Sequence, residues 1–135
     1  PPPPRQSGRF AYFNYAKKNQ QVNYVGDGLN IWPAVHCFDV ARLYRLALEN
    51  GKAGSVYHAV AEGIPVKKVA TAISEKLELP LKSVRGFESW KRLSVFSQVV
   101  SLNTPANSQW TQKELGWKAI HPDLLSDLQQ DFYYT

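Results

Sequence analysis

The sequence predicts a mixed α/β fold in which helices surround a few short strands, and two observations carry that prediction. Apolar residues recur at helical spacing in several separate stretches, most clearly Val66, Val69, Ala70, Ile73 and Leu77. Between such stretches lie short β-rich runs bounded by glycine or proline, such as Val22–Val25 and Ser55–Val60. Strands separated by helices leave α/β or α+β as the class. With 135 residues and no long linker or internal repeat, the chain reads as one domain, residues 1–135.

Taken in order, Pro1 to Pro4 and the residues to Gly8 form a loop, because polyproline joins neither a helix nor a central strand. Arg9 to Asn19 is expected to be helical, with Phe10, Phe13 and Lys17 on one face and Tyr12 and Ala16 beside it. Val22–Val25 is a short strand ended by Gly26-Asp27-Gly28, whose glycines permit positive φ. Ile31 to Cys37 is extended, with Pro33 confining it to an edge or irregular position. Asp39 is placed as the cap of a helix running to Asn50, its carboxylate accepting backbone N–H groups at the positive end of the dipole. Val40, Leu43, Tyr44 and Ala47 form the expected buried stripe, and Asn50-Gly51 stops the helix.

Ser55 to Val60 reads as a buried strand, and Pro65 as the first position of a helix that continues to Pro80. Leu81 to Arg85 fits a short strand. Glu88 to Ser101 fits a helix, with Trp90, Leu93, Phe96 and Val100 along one side. Asn103 to Ser108 is a polar loop, Thr111 to Leu115 a single helical turn stopped by Gly116. A last helix after His121-Pro122-Asp123 carries Leu125, Leu128 and Phe132.

Composition narrows the function classes. Hydrophobic residues make up 44% and charged residues 20%, a globular balance. Apolar runs are too short for a membrane span, and no secretory leader is visible. The formal charge is +5, but Lys17-Lys18, Lys67-Lys68, Arg85 and Lys91-Arg92 are dispersed among acids. A nucleic-acid face needs clustered cations, so none is expected. Cys37 is the sole cysteine, which excludes an internal disulfide and a cysteine-cluster metal site. A reducing, cytoplasmic setting is the default expectation.

The chemistry the chain carries is limited. Gly26-x-Gly28 is its nearest approach to the dinucleotide fingerprint, and no third glycine follows to bring backbone N–H groups to a pyrophosphate. The motif is therefore read as a turn. His36 and Asp39 imitate a metal pair, but nothing else is spaced as a third or fourth ligand, so no metal is assigned. His36 is expected to end a strand and bond locally, His58 to be a satisfied core histidine, and His121 to be exposed. No G-x-S-x-G elbow supports a serine nucleophile. Trp117 reads as core, whereas Trp32, Trp90 and Trp110 lie at element boundaries, where aromatics line pockets as readily as cores.

The words VGDGLN, WPAVHCFDVARLYRLALE, GSVYHAVAEGIPVKKVATAI and KELGW, in this order, resemble the second half of extended short-chain dehydrogenase/reductases, the NAD(P)-dependent epimerase/dehydratase group. The resemblance covers roughly Gly8 to Asp131 and is closest to an atypical branch with the WPAVH word. It implies the C-terminal part of a Rossmann-type enzyme: a substrate-binding lobe whose cofactor-binding half lies upstream, outside this chain. That group uses a tyrosine and a lysine four residues apart for proton transfer. No tyrosine here has a lysine four positions later, so no catalytic and no cofactor-binding residue is assigned. NAD or NADP is implied only for a parent enzyme.

Nucleotide-sugar epimerases carry R-D-Y-I-H-V where this chain has Trp32-Pro33-Ala34-Val35-His36-Cys37. The arginine of that word grips a phosphate, and an indole cannot. The resemblance with this departure implies a small or apolar carbonyl or alcohol substrate, with Trp32 and His36 bordering its cleft and Trp90 on the covering helix. A non-catalytic sensor or interaction module derived from the same lobe is the competing reading. The implied partners are the missing N-terminal cofactor domain and a small-molecule substrate, with neither nucleic acid nor membrane. An unpaired apolar strand at Ser55–Val60 further implies self-association of the isolated chain.

Overall fold

The computed structural model describes residues 7–93 and 95–131, with only the backbone described at 7–10, 89–90, 92–93 and 95–97. Eleven elements follow in chain order: α1 (Ser7–Asn19), β1 (Val22–Val25), β2 (Ile31–Ala34), α2 (Cys37–Asn50), β3 (Glu62–Pro65), α3 (Val66–Leu77), β4 (Leu81–Val84), α4 (Gly86–Leu93), α5 (Val95–Ser101), α6 (Gln109–Leu115) and α7 (Leu124–Leu128). The mixed α/β class is as the sequence predicts.

The strands form two small sheets. β1 and β4 pair in parallel, Val22 opposite Leu81 and Val25 opposite Val84. β2 and β3 pair antiparallel, Trp32 opposite Ile64. α3 packs against β1, β3, β4 and α7. Its apolar stripe of Val69, Ala70 and Ile73 meets Tyr12, Phe13 and Ala16 of α1, Val22 of β1 and Leu128 of α7 in the main core. The buried face of α1 is thus Tyr12, Phe13 and Ala16, while Lys17 points outward. Burial pushes the Tyr12 phenol far above its ordinary pKa, helped by the nearby Tyr15. The phenol donates a hydrogen bond to the Asn23 carbonyl, which gives the buried hydroxyl its partner.

The Gly26-Asp27-Gly28 segment is a turn. Both glycines have positive φ, +64° and +68°, and Asp27 accepts the backbone N–H of Leu29. A Cβ on Gly28 would lie 2.6 Å from that of Lys67, so this glycine is needed for α3 to approach. Lys67 and Tyr24 crowd the Cβ side of Gly28, and no third glycine follows to complete the cradle a pyrophosphate needs.

Several expectations change. Ser55–Val60 is not a strand among the described residues, and β3 forms at Glu62–Pro65 instead. The 55–60 segment is held by α6: Ser108 Oγ donates to the Val60 carbonyl at 2.6 Å, and Tyr57 stacks on Trp110 with ring centroids 5.0 Å apart. His58 is exposed there and is not a core histidine. On α2 the buried positions are Asp39 and Leu43, whereas Tyr44 is 69% exposed, so the expected stripe is rotated by part of a turn. Pro65 ends β3 and immediately precedes α3. The stretch expected as one helix from Glu88 contains α4 and α5, and α6 starts earlier than expected, at Gln109. Phe132 lies outside the described residues.

Candidate functional site

β2 carries the chain from the edge of the core to the start of α2, and it places Trp32 and His36 on neighbouring cavities. Trp32 is half-buried, packed edge-on against Tyr12 with centroids 6.5 Å apart. It lines an apolar cleft of about 400 Å³ with Phe13, Val69, Ile73, Leu124 and Leu128. The free edge of β2 is closed by the loop after α5: Asn103 accepts the Ile31 N–H at 2.8 Å, and the Thr104 N–H donates back to the Ile31 carbonyl.

His36, not Asp39, is the N-cap of α2. Its Nδ1 accepts the Phe38 N–H at 3.2 Å, so the neutral ring carries its proton on Nε2. That nitrogen lies 4.0 Å from Asp127 Oδ1. His36 borders a second cavity, of about 210 Å³, whose wall includes Glu62, His121, Asp123 and Asp127. Val35 and Leu124 line both cavities. Trp90 sits on α4, and its side chain lies outside the described residues.

Asp39 binds backbone N–H groups as expected, but those of a distant loop. The Ile120 N–H donates to both carboxylate oxygens at 3.1 and 3.2 Å, and the His121 N–H donates at 3.0 Å. His121 Nδ1 donates at 2.8 Å, and Arg42 Nη1 at 3.0 Å. The Trp117 indole N–H donates to the Asp39 carbonyl at 2.9 Å. His121, expected to be exposed, is instead drawn in by this pairing and stacks on His36, centroids 4.8 Å apart. The role of Asp39 eluded sequence reasoning because its partners are some 80 residues away.

Burial alone would raise the Asp39 pKa. The side-chain and backbone hydrogen bonds from His121, the Ile120 N–H and the His121 charge outweigh it and hold the group at about 2. The folded value lies below the ordinary 3.8, so the stabilisation is fully present above that pH and is lost as pH falls towards 2. The loss is expected to reach roughly 2 kcal/mol. Urea midpoints measured between about pH 5 and about pH 2 check it, and an Asp39→Asn protein should lack this component.

Among the described residues no set of three His, Cys, Asp or Glu side chains is grouped to hold a metal ion. No helix among them is long and apolar enough to cross a membrane.

No family profile matches the chain. An uncharacterized protein of Schizosaccharomyces pombe is 42% identical over 139 residues, covering 99% of this chain and 47% of the relative. An uncharacterized protein of Saccharomyces cerevisiae is 41% identical over 120 residues, 88% of this chain and 40% of the relative. The chain thus spans about half the length of the curated relatives it matches. Among solved structures, the dTDP-glucose 4,6-dehydratase DesIV of Streptomyces venezuelae, with NAD bound, superposes with a TM-score of 0.67 at 17% identity. The match covers 92% of this chain and 37% of that one. The chain thus shares its fold with part of that dehydratase. The ADP-L-glycero-D-manno-heptose-6-epimerase of Helicobacter pylori shares it, with a TM-score of 0.64 at 17% identity over 90% of this chain and 35% of that one. So does MoeE5, in complex with UDP-glucuronic acid and NAD, with a TM-score of 0.62 at 20% identity over 92% of this chain and 40% of that one.

Proposed function

We propose that this chain is the substrate-binding portion of an NAD(P)-dependent oxidoreductase or epimerase of the short-chain dehydrogenase type, acting on a small or apolar carbonyl or alcohol. The observation that carries the reading is the apolar cleft walled by Trp32, Phe13 and Ile73. An indole stands where a phosphate-gripping arginine would serve a nucleotide sugar, and burying an apolar substrate there is favourable. Trp32 and His36 border the substrate, and Trp90 belongs to the helix over it. The cofactor and the catalytic pair come from the remainder of a longer polypeptide. That remainder or, without it, another copy covers the exposed Val56 side chain.

A second reading, a nucleotide-sugar substrate, has one observation in its favour: DesIV and MoeE5 share the fold, and the latter is complexed with UDP-glucuronic acid. The two readings separate in a polypeptide of the relatives' full length that carries this chain. Reduction of small aliphatic or aromatic ketones with NADH or NADPH is expected. In that protein Trp32→Ala should raise KM about tenfold or more, with little change in thermal stability. Turnover of UDP- or dTDP-sugars alone would reject the apolar substrate. Absence of any NAD(P)-dependent turnover would favour a non-catalytic module.

A further inference from the structure

We infer that His36 and His121 together form a recognition point for a ligand hydroxyl, one ring supplying the donor and the other the acceptor. The inference deepens the proposed function and rests on it only in seating the ligand's apolar body in the Trp32 cleft. The two rings stack almost in parallel, with 13° between their planes and centroids 4.8 Å apart. Both border the cavity of about 210 Å³, which adjoins the cleft at Val35 and Leu124. Neither side chain is sealed off: 15% of His36 and 29% of His121 is exposed.

The protein commits one nitrogen of each ring, and that choice fixes the character of the other. His36 Nδ1 accepts the Phe38 N–H at the start of α2, so the neutral ring has its hydrogen on Nε2, a donor. His121 is held the other way round. Its Nδ1 lies 2.8 Å from Asp39 Oδ1, and a carboxyl whose pKa is held at about 2 only accepts, so Nδ1 carries the hydrogen. In the neutral ring Nε2 is then an acceptor. The two neighbours are thus opposite tautomers, each set by a protein group on its near nitrogen. Among the described residues no hydrogen bond engages either Nε2, and Asp127 Oδ1 stands 4.0 Å from that of His36, beyond hydrogen-bond reach. A hydroxyl is the small group that donates and accepts at one atom. Two partners of one tetrahedral oxygen lie roughly 4.6 Å apart, close to the 4.8 Å between the stacked rings. A ketone or ether oxygen accepts from His36 and leaves His121 without a donor.

NMR titrations of the chain with hexanol, methyl pentyl ether and butyl methyl ketone test this at about pH 8, where imidazoles are ordinarily neutral. The three probes are matched in size, and only the alcohol donates. All should shift the Trp32 indole signal. The alcohol is expected to bind at least about fivefold more tightly than either of the others, because it alone engages both rings. Apolar transfer by itself predicts that the ether binds better than the alcohol, since it has less hydration to shed. Asparagine tests each ring separately: its amide reproduces the Nδ1 position and removes Nε2, accepting in place of His36 and donating to Asp39 in place of His121. His121→Asn is expected to weaken the alcohol alone, bringing its preference to about twofold or less. His36→Asn is expected to weaken all three probes alike, by about threefold or more, because it removes the donor they share. Should either variant fail to fold, imidazole nitrogen spectra of the unsubstituted chain read the tautomers directly, with hydrogen on Nε2 of His36 and on Nδ1 of His121. An alcohol preference that survives His121→Asn puts the hydroxyl on a carboxylate of the cavity wall and overturns the inference. So does ether or ketone binding as tight as the alcohol's, the same tautomer in both rings, or no alcohol binding at millimolar concentration. None of these readings involves cofactor or turnover, so failure here leaves the oxidoreductase proposal standing. Failure of turnover in the full-length protein likewise leaves the hydroxyl preference standing.

Discussion

Replacing Asp39 by alanine is expected to destabilise the chain by about 3–5 kcal/mol. The carboxylate is fully buried and receives the Ile120 and His121 backbone N–H groups, the His121 ring and the Arg42 guanidinium. Alanine leaves all of these donors without their Asp39 acceptor at once, two of them backbone N–H groups directed at the buried carboxylate. Arg42 also holds the Lys118 carbonyl at 3.0 Å, so the loop keeps one tether. That surviving contact is why the expected loss stops short of the summed cost of every broken bond. Asp39→Asn retains an acceptor oxygen and should cost about half as much. Denaturant midpoints at neutral pH give the numbers, and a loss below about 1 kcal/mol for alanine would mean the loop is held elsewhere.

Trp117→Ala is expected to cost about 3–5 kcal/mol by a different route. The indole is 1% exposed and fills the space between α2 and the loop that Asp39 holds. Deleting it removes a large apolar volume and leaves a cavity that the surrounding helices can only partly close. Trp117→Phe keeps most of that volume but loses the indole N–H that donates to the Asp39 carbonyl, and about 1–2 kcal/mol is expected. The two residues grip the same segment, so the Asp39→Ala, Trp117→Ala double variant should fall short of the sum by at least about 0.5 kcal/mol. Strict additivity in the double-mutant cycle would show that the contacts act independently.

Local signals were legible and distant ones were not. Val22–Val25 is a strand in the structure with the limits the sequence suggests, because a β-rich run is closed by two glycines that take positive φ. The α3 stripe is equally plain, since Val66, Val69, Ala70 and Ile73 are all buried at the spacing that announced them. β3 was illegible: Glu62-Gly63-Ile64-Pro65 has low strand propensity, and pairing with β2 alone makes it extended. The reverse happened at Ser55–Val60, where favourable propensity finds no neighbouring strand among the described residues. At the site, Trp32 and His36 stood out as an aromatic and an imidazole at an element boundary. The partners that decide what His36 can do, His121 and Asp127, lie more than eighty residues on, and no periodicity links them.

The attachment of Asp39 to residues 120 and 121 also bears on how the chain reaches its structure. The bonds span 81 and 82 positions, and the parallel pairing of β1 with β4 closes another long loop. Contacts so distant along the chain are slow to form, because loop closure costs entropy before any contact repays it. During synthesis, α2 emerges long before the loop that receives its carboxylate, and until then Asp39 is better left in water than buried. The start of α2 is therefore expected to settle late in folding, and so is the cavity wall that His36 and His121 make together.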